Sequence, residues 1–383
     1  MDHQISKIVE KMAPSGIRAF FDLVLGMKDV ISLGVGEPDF ITPWHIREAA
    51  VSSIEEGYTS YTSNKGMPEL RKDIVKFLEH RFGLKYDWNE EVLITVGVSE
   101  GLDLVMRALL NPGDKVLVPE PAYVSYVPTV QLAGGEAVIL RTSIDNGFKM
   151  TGKQIEAAVT KGVRALMINY PANPTGASYT RKELLDIAGV VKKHGLLVIS
   201  DEVYDELTYD FDHTPLASLP GMKDHVIYFN GFSKSYAMTG FRIGYACGPA
   251  KIVGAMTKIH QYTMLCASIT GQIAASEALR HGAPAVQEMK REYKRRRRFM
   301  VDALNGLGLD CHLPEGAFYV FPSIQKTGKS SMEFATDLLN KKKVALVPGI
   351  AFGPSCEGYV RISYASSYDN LKEAVARIKS YLG

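Results

Sequence analysis

Between residues 90 and 250 short apolar runs alternate with helical segments of mixed polarity. Val92-Leu93-Ile94-Thr95-Val96 precedes a helical pattern over Leu102–Leu110. Lys115-Val116-Leu117-Val118 runs up to Pro119, Ala165-Leu166-Met167-Ile168 up to Asn169, and Leu196-Leu197-Val198-Ile199 up to Ser200-Asp201. Val226-Ile227-Tyr228-Phe229 is another such run. Apolar character at every position, not at alternate ones, describes strands covered on both faces. Strands that alternate with helices predict an α/β fold with a mostly parallel central sheet between helices. Ligands of such sheets collect beyond the carboxyl ends of the strands. Ser99, Asn173, Asp201 and Lys234 each lie in a segment that follows one of these ends.

The flanks have a different texture. Residues 1–30 mix short helical patterns with a break at Pro14-Ser15-Gly16, and Val30 to Phe40 reads as a short strand entering a rigid turn. Glu69 to Phe82 predicts a helix stopped by Gly83. Arg291 to Leu309 is a long, highly charged helical pattern, and short strands and helices are mixed after Ala317. The expected organisation is an arm and part of a small domain over 1–44, a large α/β domain over 45–280, and a smaller α+β domain over 281–383. Gly34 and Gly36 suggest a dinucleotide fingerprint, but its third glycine would fall at Asp39. A tight turn with close backbone approach at Gly36 is the better reading.

Composition narrows the class. Hydrophobic residues make up 46%, charged residues 22%, and the formal net charge is +2. That balance gives no electrostatic reason for a nucleic-acid or membrane partner. No apolar run approaches the roughly 20 residues of a bilayer span, and Met1 to Lys7 lack the apolar core of a secretory signal. The four cysteines are widely spaced, which argues against a zinc site and fits a reducing compartment. A cytoplasmic location without a bound metal is expected. The basic run Lys294-Arg295-Arg296-Arg297-Arg298 reads as a solvated helix face or an interface.

The chemistry centres on Asn230 to Gly244. Lys234 sits there among small and hydroxyl-bearing residues, with Arg242 eight positions later. An amine in a half-apolar turn is desolvated toward its nucleophilic free form, and arginine offers a rigid fork for phosphate. Together they suggest a phosphorylated aldehyde cofactor. Asp201, at a strand end, reads either as a helix cap or as counter-ion to a protonated pyridine nitrogen. Tyr204 lies near enough to donate to the same ring, although packing explains it equally well. Asn173, held between Pro171 and Pro174, is either a turn residue or a fixed donor and acceptor. Gly97-Val98-Ser99-Glu100-Gly101 matches the nucleophile elbow of serine hydrolases, with Ser99 as nucleophile. It equally matches a glycine-permitted helix start that holds phosphate. On its residues alone Arg361 reads as a surface arginine, and Tyr123 as a core aromatic.

Ser233-Lys234 with Gly240-Phe241-Arg242 resembles the cofactor-lysine signature of class I/II aminotransferases, which use pyridoxal 5′-phosphate on the fold-type I scaffold. Gly36-Glu37-Pro38-Asp39, Asn173-Pro174-Thr175-Gly176, Asp201-Glu202-x-Tyr204 and Arg361-Ile362-Ser363 are similar to the family's other motifs, in the same order. The aspartate and aromatic branches look nearest. The resemblance implies that Lys234 carries the cofactor as an aldimine and moves protons, that Asp201 pairs with the ring nitrogen, and that Asn173 and Tyr204 bond its hydroxyl. Tyr123 would stack on the ring. Arg242, Ser233 and the backbone of Val98 and Ser99 would hold the phosphate, and Tyr61 would reach the cofactor of a second subunit in a homodimer. Arg361, helped by the Gly36 backbone, would clamp the substrate carboxylate. Many relatives have serine where this chain has Gly231, so Ser233 is expected to supply the phosphate hydroxyl. The implied activity moves an amino group from an L-amino acid, aspartate or aromatic, to a 2-oxo acid such as 2-oxoglutarate, with ping-pong kinetics. Absence of a lysine at Ser99 favours aromatic or neutral donors, whereas Lys65 would favour acidic ones. A β-lyase on the same scaffold is the alternative within the family. A transcriptional regulator would need an added DNA-binding segment that the short N-terminal region lacks.

Overall fold

The computed structural model describes residues 5–14, 16–17 and 27–383. Part of the pattern expected for residues 1–30, including Ser15 of its break, lies outside these. The first strand, β1 (Ile31–Ser32), precedes seven strands that form one sheet: β2 (Val92–Thr95), β3 (Lys115–Glu120), β4 (Glu136–Arg141), β5 (Val163–Asn169), β6 (Leu197–Asp201), β7 (Val226–Gly231) and β8 (Gly244–Cys247). Four short strands follow: β9 (Tyr319–Val320), β10 (Val344–Ala345), β11 (Val347–Pro348) and β12 (Val360–Ser363). The large sheet has the order β2-β8-β7-β6-β5-β3-β4. Its neighbours from β7 to β4 are parallel, and β8 runs antiparallel between β7 and β2. The fold is therefore α/β of the expected fold-type I kind, with a mostly parallel sheet between helices.

Burial explains the pattern. Every residue of β2, β7 and β8 is buried. Two apolar clusters cover the sheet, one built on Ile94, Leu117, Ile168 and Val198, the other on Leu93, Val118, Met167 and Ile199. A third cluster joins Leu33 to Phe318, Val344 and Ile362 near the end of the chain. There β1 pairs with β10, and β9, β12 and β11 form a small antiparallel sheet.

Three expectations needed correction. The run before Pro119 does not stop at the proline, because β3 continues through Pro119 to Glu120. Pairing with β5 ends at Leu117, and Pro119 lies beyond it opposite Leu140 of β4, the partly paired setting in which a strand tolerates proline. The charged helix is longer than expected, Ala283–Gly306. Its basic run is not simply solvated. Arg296 is 6% exposed and Arg297 0%, each bound to acceptors inside the fold.

Candidate active site

The carboxyl ends of β5, β6 and β7 open into a cleft of about 850 Å³. Gly36, Val98, Ser99, Tyr123, Asn173, Asp201, Tyr204, Ser233, Lys234, Arg242 and Arg361 all line it. Tyr61 does not. It is 83% exposed and stands away from the cleft of its own chain.

Lys234 lies in the short helical turn Phe232–Ser235 that follows β7. Its ammonium donates to the Gly36 carbonyl at 2.5 Å and lies 5.9 Å from the rings of Tyr204 and Phe318. Burial pushes its pKa down to about 8, against the opposing pull of Glu37. Asp201 ends β6. Its carboxylate accepts from the Tyr126 hydroxyl at 2.8 Å and from the Val203 amide. Burial pushes it up to about 6, because those hydrogen bonds only partly offset desolvation. A cationic ring nitrogen brought to this carboxylate would supply the missing compensation.

Arg361, on β12, is 2% exposed and no acidic side chain pairs with it among the described residues. It donates to Asn173 Oδ1 at 2.8 Å and to the Gly34 carbonyl at 2.5 Å, and lies over Tyr319 at 4.6 Å. Its Nε has no partner. The surface reading of Arg361 is wrong: it is a buried cation without an acidic partner among the described residues, facing the cleft, an arrangement able to receive a carboxylate.

An anion cradle sits on the other side of the cleft. The helix Gly97–Leu109 begins with Gly97 at φ +71°, and its first amides point outward. A Cβ on Gly97 would lie 2.5 Å from the Arg242 guanidinium, so glycine is what lets the arginine rest against the helix start. Arg242 donates to the Thr239 carbonyl and has no acidic partner among the described residues. Glu100 is turned inward, accepting from the Val96 amide and bonding His260 at 2.6 Å. Ser99 sits at the same helix start, and among the described residues no histidine lines the cleft to serve as its base. The described residues therefore do not form a hydrolase geometry.

The donor set fits pyridoxal 5′-phosphate: an amine, a compensable carboxylate, hydroxyl donors, and a helix start beside an arginine without an acidic partner among the described residues open into one cleft. Gly231 has a packing reason. A Cβ there would lie 3.1 Å from Gly244 Cα and from the Ile243 carbonyl. Lys65 is spent elsewhere, on the Asn89 carbonyl and Glu90.

Several contributors were not singled out from sequence. Tyr126 orients Asp201. Tyr319 shares a 2.8 Å hydrogen bond with Tyr204 and supports Arg361. Asn169 donates to the Asp201 carbonyl and accepts from the Asn173 amide, tying two strand ends together. The i,i+3 spacing of Tyr123 and Tyr126 was a usable signal for the first. Tyr319, in a two-residue strand, offered none.

The family model for aminotransferase class I and II matches residues 28–378. The chain belongs to the class I and II aminotransferases. It is 51% identical to a putative aminotransferase of Bacillus subtilis (strain 168), over 100% of this chain and 99% of that one. It is 45% identical to an aspartate aminotransferase of Pyrococcus abyssi (strain GE5 / Orsay), over 99% and 98%. The solved aromatic aminotransferase from Pyrococcus horikoshii OT3 superposes with a TM-score of 0.91 at 44% identity, covering 96% of this chain and 98% of that one. This aminotransferase thus combines its family's fold with a cleft in which every cationic lining residue already faces a distinct acceptor or cradle.

Proposed function

We propose that this aminotransferase uses pyridoxal 5′-phosphate held at Lys234 to move the amino group of an aromatic or other neutral L-amino acid to a 2-oxo acid, which by analogy with the family is 2-oxoglutarate. The observation that carries the reading is the opening of the Lys234 amine, the under-compensated Asp201 carboxylate and the unpaired Arg361 into one cleft. When bound, the cofactor supplies a ring that takes up the electrons left by bond breaking at the amino acid α-carbon.

The protein's own residues do the rest. Arg361 binds the α-carboxylate and orients the α-carbon. Asn173, whose carbonyl oxygen faces Arg361, keeps its amide N–H₂ as a donor into the cleft. Lys234, with its pKa near 8, carries a usable free-amine fraction at neutral pH and takes and returns the α-proton. Asp201, oriented by Tyr126, keeps the ring nitrogen protonated. Tyr204 and Asn173 serve the ring hydroxyl, Tyr123 its face, and Ser233, Arg242 and the Val98 and Ser99 amides its phosphate. The cycle runs as two half-reactions with ping-pong kinetics. Ile17, Val35 and Val124 give the cleft an apolar wall, and Lys234, Arg242 and Arg361 are its only cations among the described residues. The apolar wall supports an aromatic or other neutral donor.

We further propose a cytoplasmic homodimer. Ile41, Trp44, Ile54, Tyr58, Tyr61 and Tyr262 expose large apolar areas, and Asn64 donates to the Leu265 carbonyl to bring two of these segments together. Tyr61 would then serve the partner's cofactor. The division into 1–44, 45–280 and 281–383 is proposed on the pairing of β1 with β10 and the start of the charged helix at Ala283.

A donor panel tests this reading. The protein with pyridoxal 5′-phosphate and 2-oxoglutarate should form 2-oxo acids from L-phenylalanine or L-tyrosine faster than from L-aspartate. Equal or faster turnover of L-aspartate would overturn the donor class, and pyruvate release from a β-substituted amino acid without an acceptor would point to the lyase.

A further inference from the structure

The segment from Val35 to Ile41 belongs to no strand or helix, and its first three residues, Val35, Gly36 and Glu37, line the cleft. Regular pairing stops at Leu33, whose amide and carbonyl bond Ala345 and Ser363. Among the described residues, the backbone of residues 34–42 makes no hydrogen bond to other backbone. Side chains hold it instead. Arg361 takes the Gly34 carbonyl, Lys234 the Gly36 carbonyl, and Thr42 donates to the Ala237 carbonyl at 2.6 Å. Gly36 also lies so close to Tyr319 that a Cβ would stand 2.7 Å from its hydroxyl.

Two of those anchors are the groups that the proposed chemistry engages. Lys234 cannot keep its donated bond to Gly36 while its amine is covalently engaged, and Arg361 must divide its donors with a bound carboxylate. One strong anchor takes no part in the reaction. Both carboxylate oxygens of Asp39 accept from Arg296 Nη1 at 2.8 Å, and Tyr293 donates to Asp39 at 3.2 Å. Arg296 is fixed in turn by Glu292 at 2.9 Å. Phe40 packs edge-on against Tyr293 at 5.5 Å, with the Arg296 guanidinium 5.6 Å from each ring. Tyr293 then contacts Phe318, one of the two rings near Lys234. The basic run that resembled a solvated face therefore ends in a connection to the cleft.

We propose that Asp39 and Arg296 form a latch that holds the Val35–Ile41 strap at the cleft, which makes them positioning residues for amino-acid binding. The kinetic part of this inference rests on the proposed function, and the structural part does not. Removing the latch releases the strap, so substrate meets a cleft whose wall at Val35 and Gly36 is no longer in place. Arg297 supplies the control. It is equally buried on the same helix but binds Asp210 and the Pro314 carbonyl, away from the strap.

Asp39→Asn, Arg296→Lys and Arg297→Met full-length proteins, with pyridoxal 5′-phosphate bound and after its removal, would be compared by limited chymotryptic cleavage after Phe40 and by single-turnover reaction with L-phenylalanine. Asp39→Asn should speed cleavage after Phe40 about tenfold with little change elsewhere. It should weaken the apparent affinity for L-phenylalanine about tenfold, with the limiting rate within about twofold. Arg296→Lys, which keeps the charge, should fall between it and the wild type, and Arg297→Met should lower thermal stability without loosening the strap. Unchanged strap cleavage in Asp39→Asn, or equal loosening by Arg297→Met, would overturn the latch. A limiting rate that falls while affinity holds would also overturn it. If even the wild type fails to convert any amino acid, the functional reading falls and the cleavage result alone decides the latch.

Discussion

Asp201 and Glu202 are consecutive, both buried, and treated in opposite ways. Asp201 faces the cleft with one hydroxyl and one long amide contact, and its pKa is pushed up to about 6. Glu202 faces the other side, where Ser200 donates at 2.6 Å, Tyr170 at 3.0 Å, and His213 Nε2 lies at 2.6 Å. The His213 ring stacks on Tyr170 at 5.1 Å. The rear cluster is complete without any addition, so its work is to join β6 to the Asn169–Gly176 loop. The front is left short of partners. A buried polar group with its bonds made is structure, and one with bonds still to make is a site.

The largest effect that separates the two sides is expected from Lys234→Ala, which should lower transamination at least about a thousandfold by removing the covalent attachment and the proton carrier. The same change should stabilise the cofactor-free protein. Its pKa falls from 10.5 unfolded to about 8 folded, so the unfolded chain binds more protons between these values. The cost of burying the ammonium is thus full below pH 8 and fades as pH rises toward 10.5. Thermal melts at pH 7 and pH 10 check this, and an equal gain at both would count against it.

Breaking the rear cluster should do the reverse. Glu202→Ala strands His213, Tyr170 and Ser200 and should cost about 3–5 kcal/mol of stability, read from denaturant unfolding. Any activity that survives should keep its amino-acid affinity. Asp201→Asn comes next. The folded pKa of Asp201 is raised from 3.8 to about 6, so its penalty is full above pH 6 and absent below pH 4. The asparagine protein without cofactor should gain about 1–3 kcal/mol at pH 7 and nothing at pH 4, while binding pyridoxal 5′-phosphate less tightly. A stability gain that persists at pH 4 would disprove the assignment. Gly231→Ser should be smallest, destabilising by about 1 kcal/mol as the new Cβ pushes on Gly244 and Ile243. Tighter phosphate binding in that variant, measured by cofactor titration, would show that the added hydroxyl outweighs the crowding.

The central sheet was legible because every-position apolar runs such as Val226–Phe229 have one common cause, coverage on both faces. Lys234, Asp201 and Asn173 were legible because they sit where such runs end. β4 was not singled out although Ala137-Val138-Ile139-Leu140 is an equally apolar run; at the sheet edge only Leu140 of it is buried. Arg361, Arg296 and Arg297 were misjudged for a shared reason. Local sequence records that arginine is charged, but whether it is buried depends on acceptors 17 to 327 residues away, such as Pro314 for Arg297 and Gly34 for Arg361. Tyr319 was invisible because its importance comes from Gly36, Tyr204 and Arg361 meeting around it.

The reversed strand β8 also sets an order of events during synthesis. β2 lies at the sheet edge and pairs only with β8, although all four of its residues are buried in the finished protein. Its partner is translated roughly 150 residues later, at about 5–20 residues per second. For roughly 10–30 seconds the nascent chain therefore carries an apolar β2 segment with no strand to pair with. That interval leaves Val92–Thr95 in need of chaperone cover, and a chain truncated before Gly244 should aggregate instead of folding.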